Sequence, residues 1–176
     1  MSTWKKHGLR GSMLEDLINH TIARYRESNL ALIQKIPTPI TPVNIDSSTK
    51  QITLAYFDQK STVDYIGVCQ GVPICFDAKE VHVDRFPMIN VHEHQIKFME
   101  DFEKQDGVAF FIIYYAHKDE YYYMPFKDMK AFWERAKSDG KKSFDYDEID
   151  KTMKIEATNN LNIHFLPMLQ KDLLGR

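Results

Sequence analysis

Cysteine is scarce in this chain, and that scarcity excludes disulfide-rich and cysteine-rich zinc proteins. Only Cys69 and Cys75 occur among 176 residues, and they do not form a C-x-x-C pair. Both lie in apolar contexts that are typical of strands. We therefore favour reduced, buried thiols over a disulfide or a metal site.

The chain also lacks a long apolar run. A membrane-spanning helix needs about 20 mostly apolar residues, and no stretch approaches that length. The N-terminal residues are polar and do not resemble a signal peptide, so we expect a cytoplasmic protein without a membrane segment. A length of 176 residues with 43% hydrophobic and 27% charged residues is typical of one globular domain.

Charge of one sign is not in excess either. The formal net charge is −2, which argues against a protein that coats nucleic acid by bulk charge. Positive charge is nevertheless enriched at the start, where residues 1–35 contain six Lys or Arg against three acids. We assign residues 1–11 to a flexible basic arm that is either solvated or contacts phosphates, and residues 12–176 to a single domain.

The most informative stretch is residues 61–80, in which two runs rich in β-branched and aromatic residues meet at residues 70–71. This pattern predicts a β-hairpin, because the glycine at the junction accepts the positive φ that a tight turn requires. Side chains alternate along a strand, so Asp77 and Lys79 point the same way. Antiparallel pairing brings Asp64, at the start of the first strand, beside them.

Two neighbouring carboxylates and a lysine indicate metal-assisted chemistry on phosphate. Adjacent carboxylates repel one another and stay ionised when a cation neutralises them. Carboxylate oxygens, combined with water and phosphate oxygens, are the ligands that Mg²⁺ prefers. A lysine beside the metal can orient an attacking water or offset charge on phosphorus. The hairpin therefore predicts hydrolysis of a phosphodiester.

Several short motifs extend this pattern along the chain. An aspartate, a gap and then Asp-x-Lys at a strand end resemble the PD-(D/E)xK nuclease superfamily, although this pattern alone is common by chance. From residue 11 onward the chain resembles, more specifically, the RecU family of Holliday junction resolvases. The matching motifs are GSMLEDLIN at 11–19, KIPTP at 35–39, AYF at 55–57, STVDYIG at 61–67, FDAKE at 76–80, FP at 86–87, HEHQ at 92–95 and KKS at 141–143.

The resemblance implies a role for each of five residues. Asp64 and Asp77 correspond to the ligands of Mg²⁺, with Mn²⁺ as the alternative ion, and Lys79 corresponds to the catalytic lysine. Gln95 corresponds to the family's glutamine near the site, and Glu15 to the acid on the first helix that approaches it. The implied fold is α/β and restriction-endonuclease-like, with a mixed central β-sheet flanked by helices and a protruding β-stalk.

The resemblance also implies a substrate and an assembly. The expected reaction is the paired, symmetric nicking of four-way DNA junctions by a homodimer during homologous recombination and repair. A recombinase and branch-migration proteins are the further partners it suggests, and the nucleoid is the expected place of action. Two alternatives stay open, namely a related nuclease of other DNA specificity and a junction-binding or recombinase-regulating protein with weak or no cleavage.

Three positions depart from the family's usual pattern. Asp77 stands where the family usually has glutamate, Val63 where it usually has a second threonine, and Leu54 where it usually has glutamate. The superfamily accepts either acid at the first of these positions, so we expect the reaction to be retained. The shorter side chain affects the metal position, and the other changes affect junction recognition.

The first apolar residues recur at helical spacing. We predict a helix over residues 12–27, with Ser12 as its N-cap and Glu15 completing a capping box. The capping role of Glu15 and its implied catalytic role are both open, and they are compatible with each other.

A proline-rich segment follows a short strand predicted at residues 29–36. Three prolines between residues 37 and 42 exclude a helix and a central strand. Alternating runs at 43–46 and 51–57 predict a β-ribbon, and we assign residues 36–57 to a stalk insertion. It is either a surface loop or, as in the family, a stalk that enters the junction. The candidate DNA contacts are Lys35, Lys50, Phe57, Arg10, Thr62 and Lys142.

The rest of the chain is predicted to complete the sheet and its covering helices. Gln95 is either directed at the site or simply exposed on a helix. His92 and His94 lie two residues apart, which predicts different helix faces and argues against zinc. The tail over residues 152–176 is expected to pack on the core or on a partner subunit. The predicted elements are a helix at 91–105, strands at 108–115 and 121–124, and a helix at 129–137.

Overall fold

The structure, a computed structural model, describes residues 10–57, 62–138, 140–158 and 161–176. The helices are α1 Arg10–Glu27, α2 Glu93–Glu103, α3 Phe126–Lys137 and α4 Leu166–Leu174. The strands are β1 Ala31–Lys35, β2 Ile40–Asp46, β3 Gln51–Phe57, β4 Tyr65–Cys69, β5 Val72–Val81, β6 Arg85–Pro87, β7 Val108–Tyr115, β8 Glu120–Pro125, β9 Ser143–Asp145 and β10 Lys154–Ile155. No helix within these ranges is long and apolar enough to cross a membrane.

Six strands form a central mixed sheet in the order β1-β4-β5-β7-β8-β10. β5 and β7 run parallel, while the other neighbouring strands are antiparallel. A parallel pair needs a crossover connection, and α2 lies in the one between β5 and β7. The prediction of an α/β fold with a mixed central sheet and flanking helices is confirmed.

β7 lies at the centre of the fold, and every one of its residues is buried. Its side chains alternate between two hydrophobic clusters on opposite faces of the sheet. Phe110 and Ile112 pack with α1 and α4, whereas Phe111 and Ile113 pack with α2 and α3. The strand predicted at 108–115 is confirmed, and its continuous apolar run suits a strand that is covered on both faces.

β4 and β5 form the predicted hairpin. Both residues of the turn at 70–71 have positive φ, 48° and 88°, as in the two-residue turns that match the twist of paired strands. The turn sets Tyr65 opposite Phe76. Asp64 and Asp77 flank this pair and therefore meet at the open end of the hairpin. The predicted register is confirmed.

Gly67 lies where β4 approaches β1 closely. A Cβ atom at this position would clash with the backbone of Leu32 and lie 2.6 Å from Cα of Ile33. We expect Gly67→Ala to lower the free energy of unfolding by about 1–3 kcal/mol, as overpacking generally does, in urea denaturation. Gly175→Ala is the control, because the nearest atoms to its Cβ would be 3.6 Å away. Equal stabilities of the two variants would contradict this interpretation.

β2 and β3 pair as a separate two-stranded sheet, which confirms the predicted ribbon and extends its first strand back to Ile40. At its tip, Asp46 Oδ1 accepts hydrogen bonds from the N–H and the hydroxyl of Ser48 at 2.8 and 2.6 Å. The division of the chain into arm, domain and stalk stays a prediction. The large apolar side chains exposed on the ribbon are Ile40, Val43, Ile45, Ile52, Leu54 and Tyr56.

The start of α1 differs from the prediction. The helix begins at Arg10, so Ser12 lies inside it and the predicted N-cap and capping box are wrong. Residues 10 and 11, which were assigned to the arm, belong to the helix, while residues 1–9 lie outside the described residues. Gly11 lies within the first turn of this helix, and one glycine costs a helix only about 1 kcal/mol.

The C-terminal half contains short elements that the sequence did not reveal. Residues 152–176 pack back on the core, as expected, through β10 beside β8 and through α4, whose Leu169 is buried with α1. β6 and β9 form a small third sheet, for which the sequence analysis predicts no strands. Strands of two or three residues are too short for a periodic pattern. Cys75 is buried and Cys69 half-buried, and both are free.

Candidate active site

Three of the predicted site residues meet at the open end of the β4–β5 hairpin. Asp77 and Lys79 lie two residues apart on β5, and Lys79 Nζ is 2.5 Å from Asp77 Oδ2. Asp64 immediately precedes β4, and its Oδ2 accepts a hydrogen bond of 2.9 Å from the N–H of Ala78, between the other two. The structure thus brings the three side chains together, and their catalytic roles stay predictions.

Asp77 is completely buried, with 0% of its side chain exposed. Its Oδ2 forms an ion pair with Lys79 Nζ at 2.5 Å and accepts a hydrogen bond of 2.9 Å from Gln95 Nε2. Its Oδ1 is buried and has no hydrogen-bond partner among the described residues. A buried anionic oxygen without a partner is costly. Asp77 Oδ1 is therefore a strong candidate to bind a cation.

Asp64 and Asp77 interact directly. Burial raises the pKa of Asp64 to about 7, and the nearby Asp77 carboxylate acts in the same direction. The N–H of Ala78 and the charge of Lys79 oppose this shift. Near neutral pH, the carboxyl pair therefore either retains a proton or requires a cation in its place.

Gln95, the third residue of α2, links this helix to the carboxylates. Its Oε1 accepts a hydrogen bond of 3.1 Å from the N–H of His92, and its Nε2 donates to Asp77 Oδ2. Because both ends of the amide are engaged and only 7% of the residue is exposed, the alternative of an exposed helix residue is wrong. The rings of His92 and His94 stack 5.4 Å apart, so the expectation of different faces is also wrong, because His92 precedes the helix.

These donors fit a hard divalent cation. Asp77 offers an unpaired buried oxygen beside the carboxyl group of Asp64, and Mg²⁺ combines such carboxylates with water and phosphate oxygens. Within the described ranges, no group of three His, Cys, Asp or Glu residues could hold a metal. The described side chains would therefore supply two carboxylates and leave the other positions to water and substrate.

Glu15 and Lys35, predicted separately as an acid and a DNA contact, bind each other. Lys35 Nζ lies 2.7 Å from Glu15 Oε2. Nearby, the Tyr65 hydroxyl donates to the carbonyl of Glu15 at 3.5 Å and to Asn19 Oδ1 at 3.3 Å, which ties α1 to β4 beside Asp64. Sequence reasoning assigned no role to Tyr65 or Asn19, although both lie within the quoted motifs at 61–67 and 11–19.

The other predicted DNA contacts are spread over the surface. Lys50 lies at the tip of the ribbon, with a φ of 57°, and Thr62 is half-buried just before β4. Lys142 Nζ donates to a backbone carbonyl at the C-terminal end of α3. Arg10 begins α1 and Phe57 ends β3, but their side chains lie outside the described part of the chain. Contact with DNA stays a prediction for all of them.

The raised pKa of Asp64 predicts how stability changes with pH when metal is absent. The folded protein holds a proton there up to about pH 7, whereas an unfolded chain releases it near pH 4. The folded state binds more protons in this window, so the free energy of unfolding falls as pH rises. We expect a fall of at least about 1.4 kcal/mol between pH 5 and 8, the equivalent of one pKa unit, in urea titrations with EDTA.

Asp64→Asn is the control for this pH dependence. The amide does not titrate, so the difference between wild type and variant isolates Asp64 from other groups. Neutral, half-buried His164, whose pKa is lowered by burial, contributes with the opposite sign in both proteins. Parallel pH profiles for the two proteins would contradict the assignment.

A buried carboxylate pair and a lysine at the ends of paired strands, on a mixed sheet flanked by helices, define the site of a PD-(D/E)xK nuclease. A family model described as Recombination protein U matches residues 9–171. The chain belongs to this family.

Two relatives identified by sequence agree with this assignment. Holliday junction resolvase RecU of Listeria welshimeri serovar 6b is 41% identical over 170 residues, which cover 94% of this chain and 85% of that protein. Its namesake from Staphylococcus aureus strain MRSA252 is 41% identical over 150 residues, covering 83% and 72%. The solved structure of Hjc, a Holliday junction resolvase from Archaeoglobus fulgidus, aligns with a TM-score of 0.43 and 8% identity over 79% of this chain and 89% of that one.

Proposed function

We propose that this chain is a Holliday junction resolvase, an endonuclease that makes paired symmetric nicks in four-way DNA junctions during homologous recombination and repair. The observation that carries the proposal is the unpaired, buried oxygen of Asp77 next to Asp64 and Lys79. Membership of the Recombination protein U family and the names of the Listeria and Staphylococcus relatives support the choice of substrate.

Mg²⁺ is the proposed cofactor, with Mn²⁺ as the alternative, and Asp64 and Asp77 are the proposed ligands. When bound, the cation supplies positive charge to the phosphate and lowers the pKa of a bound water. Lys79 and Gln95 fix Oδ2 of Asp77, so that Oδ1 is left for the ion. Glu15 is the proposed further acid, approaching from α1.

Lys79 is the proposed catalytic lysine. Its side chain is only 17% exposed and is held against Asp77, which directs the ammonium group at the carboxylate pair. From this position it orients the attacking water and stabilises the negative charge that develops on the phosphoryl oxygens. Gln95 is the proposed positioning residue for Asp77, because α2 holds its amide in one orientation.

The ribbon and the basic side chains are proposed to hold the junction. β2 and β3 enter its open centre, and the exposed aromatic and apolar side chains of the ribbon contact bases. The ammonium groups of the lysines and the guanidinium group of Arg10 neutralise phosphates. The proposed contacts are Lys35, Lys50, Phe57, Arg10, Thr62 and Lys142.

A homodimer is the proposed assembly. A four-way junction has two-fold symmetry and must be cut in two strands, so a C₂ dimer presents one site to each strand. A recombinase and branch-migration proteins are proposed as further partners. The DNA substrate makes the nucleoid, in the cytoplasm, the proposed place of action.

Cleavage of a synthetic four-way junction beside a matching linear duplex, with Mg²⁺ and with EDTA, tests this function. We expect symmetric paired nicks in the junction alone, dependent on the metal. Equal cleavage of the duplex would instead identify a nuclease of other DNA specificity. Tight junction binding without cleavage in Mg²⁺ or Mn²⁺ would identify a junction-binding protein.

A further inference from the structure

The ion pair between Glu15 and Lys35 lies where the central sheet meets the ribbon. Lys35 is the last residue of β1. The N–H of the next residue, Ile36, donates to the carbonyl of Asp64 at 2.8 Å, and the chain then continues into β2. Lys35, which carries the ammonium group, is the residue directly before this backbone contact with Asp64, a proposed metal ligand. Lys35 therefore lies between the ribbon and the proposed active site, where DNA held by both would be in reach.

Glu15 approaches Lys35 from α1, and the structure fixes the helix in place. Lys35 pairs with Tyr65 across β1 and β4, and the Tyr65 hydroxyl contacts Glu15 and Asn19 on α1. The lysine and glutamate side chains are 41% and 34% exposed. Ion pairs with this exposure are weak, because water solvates both groups. Another anion can therefore replace the carboxylate at little cost.

We propose that Glu15 is a positioning residue that holds Lys35 in the DNA-free protein and gives it up to a DNA phosphate on binding. This inference rests on the proposed function in that its ligand is DNA. A phosphate oxygen accepts the same charge-assisted hydrogen bonds as a carboxylate. The ion pair with Glu15 has to break before Lys35 binds the phosphate, and this cost opposes binding. Glu15 therefore keeps the lysine ordered at the base of the ribbon and lowers its affinity for DNA.

A double-mutant cycle on junction binding tests the exchange. Affinity is measured by fluorescence anisotropy in EDTA, where no DNA is cut, for wild type, Glu15→Gln, Lys35→Met and the double variant. We expect Glu15→Gln to tighten binding by roughly 2- to 5-fold, the range of an exposed ion pair. Lys35→Met weakens binding, and in that background Glu15→Gln loses its effect.

Two further variants separate the contact from general charge. Glu15→Asp keeps the charge but shortens the side chain, so it tightens binding only if the contact to Lys35 is what matters. Glu27→Gln makes the same charge change at the other end of α1, where Glu27 pairs with Arg24, and should act equally in both Lys35 backgrounds. A Glu15→Gln effect that persists after Lys35→Met, or no tightening in a protein that binds DNA, overturns the exchange alone. A wild-type protein that binds no DNA overturns the proposed function as well.

Discussion

Replacing Asp77 by asparagine is expected to reduce the single-turnover rate of junction cleavage by ~10²–10³-fold or more, the range seen when one electrostatic group is removed from an active site. The amide keeps the shape of the side chain but removes the negative charge that would bind the cation at Oδ1. In the wild-type protein, Lys79 Nζ lies 2.5 Å from a carboxylate oxygen of Asp77. The amide removes this counter-charge. Gel-based cleavage in Mg²⁺ measures the rate, and anisotropy in EDTA measures junction binding, which we expect to be retained.

Two controls define what the loss means. Asp101→Asn removes a carboxylate from the same protein at an exposed position of α2, where it pairs with Lys104, and should leave cleavage unchanged. Asp77→Glu restores the acid that the family usually carries and should cleave the junction, because the superfamily accepts either residue. An Asp77→Asn protein that cuts within tenfold of the wild-type rate would contradict the assignment of Asp77 as a metal ligand.

The carboxylate pair could be predicted from the sequence because a hairpin is a local structure. A glycine-containing turn and two runs rich in β-branched and aromatic residues determine the register, and the register places Asp64 near Asp77. The central strand was equally predictable, because a continuous apolar run of eight residues is typical of a strand buried on both faces. Both inferences need information from only a few neighbouring residues.

The contacts that complete the site depend on tertiary packing. Whether Gln95 is exposed or buried depends on how α2 docks against β5, and the helical pattern allows both. The ion pair of Glu15 with Lys35 joins residues 20 positions apart on different elements. A capping interpretation of Glu15 was reasonable until the helix proved to begin at Arg10. Such contacts follow from the fold and cannot be read from local spacing.

Two departures from the family pattern have different structural settings. Val63 is 1% exposed and belongs to the hydrophobic cluster that contains α2 and α3. An apolar side chain is therefore well suited to this position, directly beside Asp64. Leu54 is 53% exposed on the ribbon, where the family usually has a glutamate. The first substitution affects the packing around the site, and the second changes the charge of the surface proposed to meet the junction.

Replacing the ribbon residues 40–57 by a short Gly-Ser linker is expected to weaken four-way junction binding by roughly 10- to 100-fold. That range corresponds to the loss of about one base contact of 1–3 kcal/mol. The central sheet should persist, because β2 and β3 pair only with each other. Anisotropy in EDTA with junction and linear duplex measures the change, and duplex binding should be nearly unaffected. A variant that binds the junction like wild type would contradict a role of the ribbon in recognition.

The apolar side chains exposed on the ribbon allow a second cause for such a loss, namely a weaker dimer. Leu54→Ser and Lys50→Ala separate the two causes, since the first removes an apolar surface and the second a charge at the tip. If the ribbon contacts DNA directly, both variants weaken junction binding while the molar mass in light scattering stays that of the wild type. If it acts through the dimer, Leu54→Ser lowers the molar mass and Lys50→Ala changes neither quantity. The direct contact is expected, because Lys50 projects a positive charge from the tip turn, where a phosphate would compensate it.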